Sequence, residues 1–420
     1  MEEKLLILEC AGLDMHAAMV GNLASLGLDF HPVTPPFPAV TCVSQATMRT
    51  GLSPREHGIV ANGRFDRKSR RVEFWGQSAG LYRGERLWER CPSRDVAVMF
   101  LQQSLGDRGV TYSFSPAPIH KHHGGMLMGC HANPPELEAE LTAAVGRRFT
   151  LSSYWGPGAD GRSTAWIASA TEAMMRRHGP SILYSYLPHL DYCQQREGPD
   201  FPGLKGEAEF LGVHLTSLLK CAEETGYEVL IWGDYAITQA TLPVFPNRVL
   251  MEAGLFMPRE VGGRLYPNLY DSRAFAMVDH QVAHVFVRQA EDVASARKLL
   301  SSLEGVERVQ TPEEAGFDPA DAGELVLTAA PGAWFAYPWW SKSAEAPDYA
   351  GHVDIHNKIG FDPSELFWGI PFLKTSQNPN RVRGTHGRTD TPAAFAVTPG
   401  LERLKGATSL LELANNLLKP

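Results

Sequence analysis

The chain has 420 residues, 44% hydrophobic and 20% charged, with 39 Lys and Arg against 47 Asp and Glu for a formal net charge of −8. Those values suit a large globular enzyme and exclude a disordered or fibrous chain. The acidic balance, with no block of like charge, leaves no footprint for a nucleic-acid partner, and no apolar run reaches the roughly 18 residues that a membrane span needs.

The acidic start, Met1-Glu-Glu-Lys4, lacks the basic-then-apolar plan of a secretory leader, so cytoplasm is the expected compartment. The six cysteines (Cys10, Cys42, Cys91, Cys130, Cys193, Cys221) show no Cys-x-x-Cys spacing and read as thiols in a reducing environment.

In chain order, the apolar run 5–10 reads as a strand buried on both faces, interrupted by Glu9. Residues 38–40 read as a short strand running into a helix-like segment, with Thr41 at the junction. A hydroxyl there has two roles open to it. It can cap the helix, or it can attack a phosphorus whose oxygens rest on the helix-start amides. The runs 96–100, 182–187 and 229–232 are further buried strands, and Asp191 and Asp234 follow the last two. Before the 229–232 strand, Leu211, Leu215, Leu218 and Ala222 mark one face of a helix that ends at Gly226.

Over about 255–345 the texture changes to a strand at 283–287, a helix at 292–303 and strands at 306–309 and 325–327. This predicts a small α+β cap inserted into a core made of residues 1–254 and 346–420. Trp334, Phe335, Tyr337, Trp339 and Trp340 form an aromatic cluster that can stack on a substrate ring or pack the cap. His386, in Gly384-Thr-His-Gly387, precedes a strand at 393–397, and 409–418 reads as a final amphipathic helix.

Apolar strands separated by helices predict a mostly parallel sheet with helices on both faces. In such sheets ligands gather beyond the carboxyl ends of the strands. Thr41, Asp191 and Asp234 fall there, and with His386 they make a donor set suited to zinc, or to manganese or iron. A cation beside Thr41 would acidify its hydroxyl and offset phosphoryl charge.

The run 38–62, PAVTCVSQATMRTGLSPREHGIVAN, resembles the nucleophile segment of the alkaline-phosphatase superfamily, nearest its type I phosphodiesterase/nucleotide pyrophosphatase branch. Gly384-Thr-His-Gly387, the segment 186–199 and Gly233-Asp-Tyr-Ala236 resemble the other motifs of that family, in the same order. The resemblance implies a three-layer αβα sandwich with an inserted cap. It also implies metal-dependent hydrolysis of a small phosphorylated substrate, a diester or pyrophosphate first, through phosphoryl-Thr41. One or two divalent ions, zinc first, would sit on Asp191, Asp234 and His386. Ser44 stands where the family commonly has an Asn that supports the phosphoryl oxygens.

The chain departs from the family at the other ligand positions: Ala11 replaces an Asp, Gln195 a His and Tyr235 a His. Asp354 and His356 alternate onto one side of an extended segment and are the expected replacements. Glu9 points to the same side of its strand as Ala11, with a paired, buried carboxyl as its other role. His280, beside Asp279, reads first as a structural histidine. Two alternatives stay open: a phosphoryl transferase or lyase on the same fold, and a ligand-binding protein with a degenerate metal site.

Overall fold

The computed structural model describes residues 4–90, 95–122, 125–353, 358–361, 366–368, 375 and 378–417. Its centre is an eight-stranded sheet in the order His31–Val33, Ala393–Val397, Tyr227–Trp232, Lys4–Cys10, Ile182–Leu187, Val96–Met99, Tyr112–Pro116 and Cys130–Asn133. The five strands from Tyr227–Trp232 to Tyr112–Pro116 pair in parallel, while Ala393–Val397 and Cys130–Asn133 run antiparallel to their neighbours.

The central strands are apolar because helices cover both faces of the sheet, which gives the three-layer αβα sandwich. Leu6, Leu8, Val229, Leu230 and Ile231 are fully buried. The Leu204–Thr225 helix packs on Gly161–Arg177, with Leu211, Leu215, Leu218 and Ala222 inward. It closes where Gly226, at φ +77°, takes the left-handed conformation that glycine adopts freely. The Thr41–Thr50 helix packs with Leu410–Leu417.

Residues 38–40 are not a strand. They form a tight turn in which Val40 donates to the Pro38 carbonyl and Ala39 to the Gly387 carbonyl, each at 2.9 Å, so this segment pairs with the loop after His386 and not with the sheet. Proline at position 38 also lacks the amide that a ladder needs.

A second, antiparallel sheet joins Ala274–Asp279, Val282–Val287, Leu325–Ala329 and Val306–Gln310, in that order, with the Ala290–Ser301 helix beside it. Phe335, Tyr337, Trp339 and Trp340 are buried in the core around this sheet, and Trp339 Nε1 donates to the Leu265 carbonyl. These four aromatics therefore pack against the second sheet, whereas Trp334 is buried in a separate cluster with Leu366, Phe367 and Val382. Among the described residues, no helix is long and apolar enough to cross a membrane.

Candidate active site

Thr41 is the first residue of its helix. The N-cap position belongs to Val40, whose backbone is extended and whose side chain makes no capping bond. The Thr41 hydroxyl is thus free of capping duty and lies 3.2 Å from the Tyr235 phenol oxygen. That phenol donates to Asp191 Oδ1 at 3.0 Å. With its single proton given to the carboxylate, the phenol oxygen accepts from Thr41.

Asp191 lies in the first turn of the His189–Glu197 helix, beyond the Ile182–Leu187 strand. Gln195 stands one turn later, and its amide donates to both Asp191 oxygens at 2.8 and 2.9 Å. Burial raises the Asp191 carboxyl above its usual range, and the Gln195 bonds oppose that rise.

Asp234 follows the Tyr227–Trp232 strand and is fully buried. Its Oδ1 accepts from the Gly12 amide at 3.1 Å, and its Oδ2 has no hydrogen-bond partner. Burial first, and then the nearby Glu9 charge, push its carboxyl well above the usual range. Ser44 donates to the Asp234 carbonyl at 2.9 Å and is wholly buried, so it fixes the Asp234–Tyr235 turn and lies outside the pocket wall. Glu9 is likewise spent within the core. It accepts from Gln45 at 3.0 Å and Tyr184 at 3.1 Å, and burial lifts its carboxyl from 4.5 to about 8.

His386 Nδ1 lies 2.8 Å from the Ala39 carbonyl, which can only accept, so that nitrogen carries the proton. Burial and the neighbouring His280 hold its pKa well below the ordinary histidine value. The Tyr235 ring lies flat on His386, with centroids 3.7 Å apart and planes 2° from parallel. His280 continues the stack at 3.9 Å, and Phe361 follows at 4.0 Å. His280 comes from a hairpin of the second sheet and holds φ +58°, a conformation a non-glycine residue rarely adopts. Its Nδ1 meets Asp279 Oδ1 at 2.8 Å. Asp279 in turn accepts from the Asn62 amide and side chain, and Asn62 accepts from the Cys42 amide beside Thr41.

These groups open on a cavity of about 100 Å³ whose wall includes Thr41, Asp191, Gln195, Tyr235, His280 and His386. Trp75, Tyr154, Trp155, Tyr186, Tyr192 and Phe361 add an aromatic lining. Among the described residues, no lysine or arginine lines it. The structure brings Thr41, Asp191, Asp234 and His386 into one neighbourhood from widely separated parts of the chain. Asp354 and His356 lie outside the described residues. Sequence reasoning missed the aromatic lining, and it set His280 aside although the Asp279-His280 pair was visible.

A divalent cation does not fit the described donor set. Both Asp191 oxygens already accept from an amide, and a phenol stands between Asp191 and Thr41. The side chains at 11, 195 and 235 are a methyl, an amide and a phenol, where zinc would need carboxylate or imidazole. Among the described residues, no three His, Cys, Asp or Glu side chains are grouped as a metal would require.

The family model for type I phosphodiesterase/nucleotide pyrophosphatase matches residues 16–362. The chain resembles phosphonoacetate hydrolase from Sinorhizobium meliloti 1021, solved with phosphonoformate, at 12% identity, covering 99% of this chain and 95% of that one with a TM-score of 0.62. It also resembles an inactive variant of murine ectonucleotide pyrophosphatase/phosphodiesterase 5 in complex with AMP, at 13% identity, covering 99% and 94% of the two chains with a TM-score of 0.59. No curated protein sequence matches the chain.

Proposed function

We propose that this chain, which belongs to the type I phosphodiesterase/nucleotide pyrophosphatase family and is a phosphoric ester hydrolase of that kind, attacks its substrate with Thr41. The observation that carries this reading is the uncapped Thr41 hydroxyl at the start of a helix, in the wall of a pocket shared with Asp191 and His386. Oγ1 would form a bond to phosphorus as the bond to the leaving oxygen breaks. The positive end of the 10-residue helix would stabilise the non-bridging oxygens. Water would then release the phosphoryl group from Thr41.

The family is generally metal-dependent, but the described donors do not fit a cation, so no step is assigned to one.

Charge narrows the substrate to a small ester with one negative charge. The pocket wall holds Asp191, Asp234 lies close by, and among the described residues no lysine or arginine lines the wall, so a second charge on the ligand would go unmatched by them. A diester or a phosphonate monoester carries one charge at neutral pH, whereas a phosphate monoester carries about 1.5 to 2. The aromatic lining favours a flat leaving group. The phosphonate and the nucleotide bound by the two structural relatives are small and phosphorylated, as this reading requires, but each carries more than one negative charge. Residues 255–345 act as a cap that supplies His280 to the wall.

The test is a panel of bis(p-nitrophenyl) phosphate, p-nitrophenyl phenylphosphonate and p-nitrophenyl phosphate. The first two should turn over faster than the third. Thr41→Ala should lose about a thousandfold in kcat, and Thr41→Ser should retain part of it. A Thr41→Ala protein working at the wild-type rate would remove the assignment.

A further inference from the structure

We infer that Tyr235 is a catalytic residue that takes the place of a cation: its phenol oxygen accepts the Thr41 proton as Oγ1 closes on phosphorus, while its own proton passes to Asp191 Oδ1. The reaction then needs no divalent metal. The inference rests on the reading of Thr41 as the attacking group.

Three observations carry it. Thr41, Tyr235 and Asp191 form one chain of contacts, at 3.2 and 3.0 Å; the phenol gives its single proton to Asp191, which leaves its oxygen to accept from Thr41. Gln195 donates to both Asp191 oxygens, so the lone pairs that a cation would use face an N–H group. Tyr235 is also held rigidly. Its ring lies flat on His386, and His386 is tied to Ala39, two residues before Thr41. The phenol is therefore aimed by the same segment that aims the nucleophile. An inert, filled core would place these groups against packed side chains, yet Thr41, Asp191 and Tyr235 all border the cavity.

In the first half the Thr41 Oγ1–phosphorus bond forms and the phosphorus–leaving-oxygen bond breaks, with the electron pair leaving on that oxygen. The Thr41 proton arrives on Asp191 by two short transfers through Tyr235. In the second half water attacks phosphorus and its proton departs to solvent. The Thr41 oxygen leaves phosphorus and recovers a proton from Tyr235, which recovers its own from Asp191.

The test uses the whole chain and has two independent readouts. Metal analysis of purified protein, dialysed against zinc, manganese or iron, should find well under one ion per chain. The double variant Gln195→His/Tyr235→His should take up roughly one zinc, on Asp191, His386 and the introduced imidazoles. With bis(p-nitrophenyl) phosphate, chelator should leave the wild-type rate unchanged. Tyr235→Phe, with its fold checked by circular dichroism, should lower kcat about a hundredfold with little change in KM. A stoichiometric metal in the wild type, or turnover abolished by chelator, overturns the inference. Loss of activity in Thr41→Ala but not in Tyr235→Phe overturns the relay alone. Activity that survives Thr41→Ala overturns the parent reading and the relay with it.

Discussion

Gln195 stands one helical turn after Asp191 and holds both of its carboxylate oxygens, at 2.8 and 2.9 Å. The pair turns a position that could hold a metal ligand into a clamp on its neighbour. Removing the amide leaves a buried carboxylate with the Tyr235 phenol as its remaining side-chain donor. Hydrogen bonds to a charged group contribute about 1.5–3 kcal/mol each, and an unpaired buried acceptor costs more than its bond is worth. Gln195→Ala should therefore lower stability by about 3 kcal/mol, read as a lower urea midpoint with an unchanged m-value.

Glu9 sets a pH dependence that lies away from the pocket. Its folded carboxyl titrates near 8 and its ordinary value is 4.5, so between these pH values the folded chain holds a proton that the unfolded chain has released. Stability from this group is full below about 4.5 and is lost as pH rises through about 8. Denaturant midpoints should fall across that window, and Glu9→Gln should flatten the slope while keeping a group that can pair with Gln45 or Tyr184. An unchanged slope in Glu9→Gln would assign the effect to Asp191 or Asp234, whose carboxyls are also raised.

Gly384 tests the coupling of His386 to its loop. A methyl group there would strike the Gln194 carbonyl and the Ile237 side chain, where Gly384–Thr385 pairs with Thr238–Gln239. Overpacking of this kind costs about 1–3 kcal/mol. Because Gln194 adjoins Gln195 and His386 follows two residues later, Gly384→Ala should also weaken turnover. Thermal midpoints and kcat should fall together, whereas an alanine replacing an exposed residue such as Val213 should move neither.

The strands at 5–10, 96–100, 182–187, 229–232 and 393–397 were legible because strands buried on both faces read as unbroken apolar runs, and 182–187 and 393–397 match the structure residue for residue; His31–Val33, Tyr112–Pro116 and Cys130–Asn133 show no such run and were missed. The 38–40 run was misread because three short residues before a helix look the same whether they pair with a sheet or with a loop. That Asp191 and Asp234 lie near each other was also legible, since strand ends in such a sheet point to one crevice; Thr41 and His386 reach that crevice through the Ala39–Gly387 and His386–Ala39 contacts, not from strand ends. Gln195 and Tyr235 were visible as departures from the family pattern. Their bonds to Asp191 were not, because one depends on helix phase and the other on a contact spanning 44 residues. The aromatic wall was hidden for a similar reason. Tyr154 and Trp155 lie in irregular chain, where no periodicity announces a direction.

The most direct test of the account is to quench the wild-type protein during turnover of bis(p-nitrophenyl) phosphate and map its peptides by mass. A phosphoryl ester on Thr41 is expected, with a burst of nitrophenolate that Thr41→Ala abolishes. Steady turnover with an unmodified Thr41 peptide, or with the phosphoryl group on another residue, would contradict it.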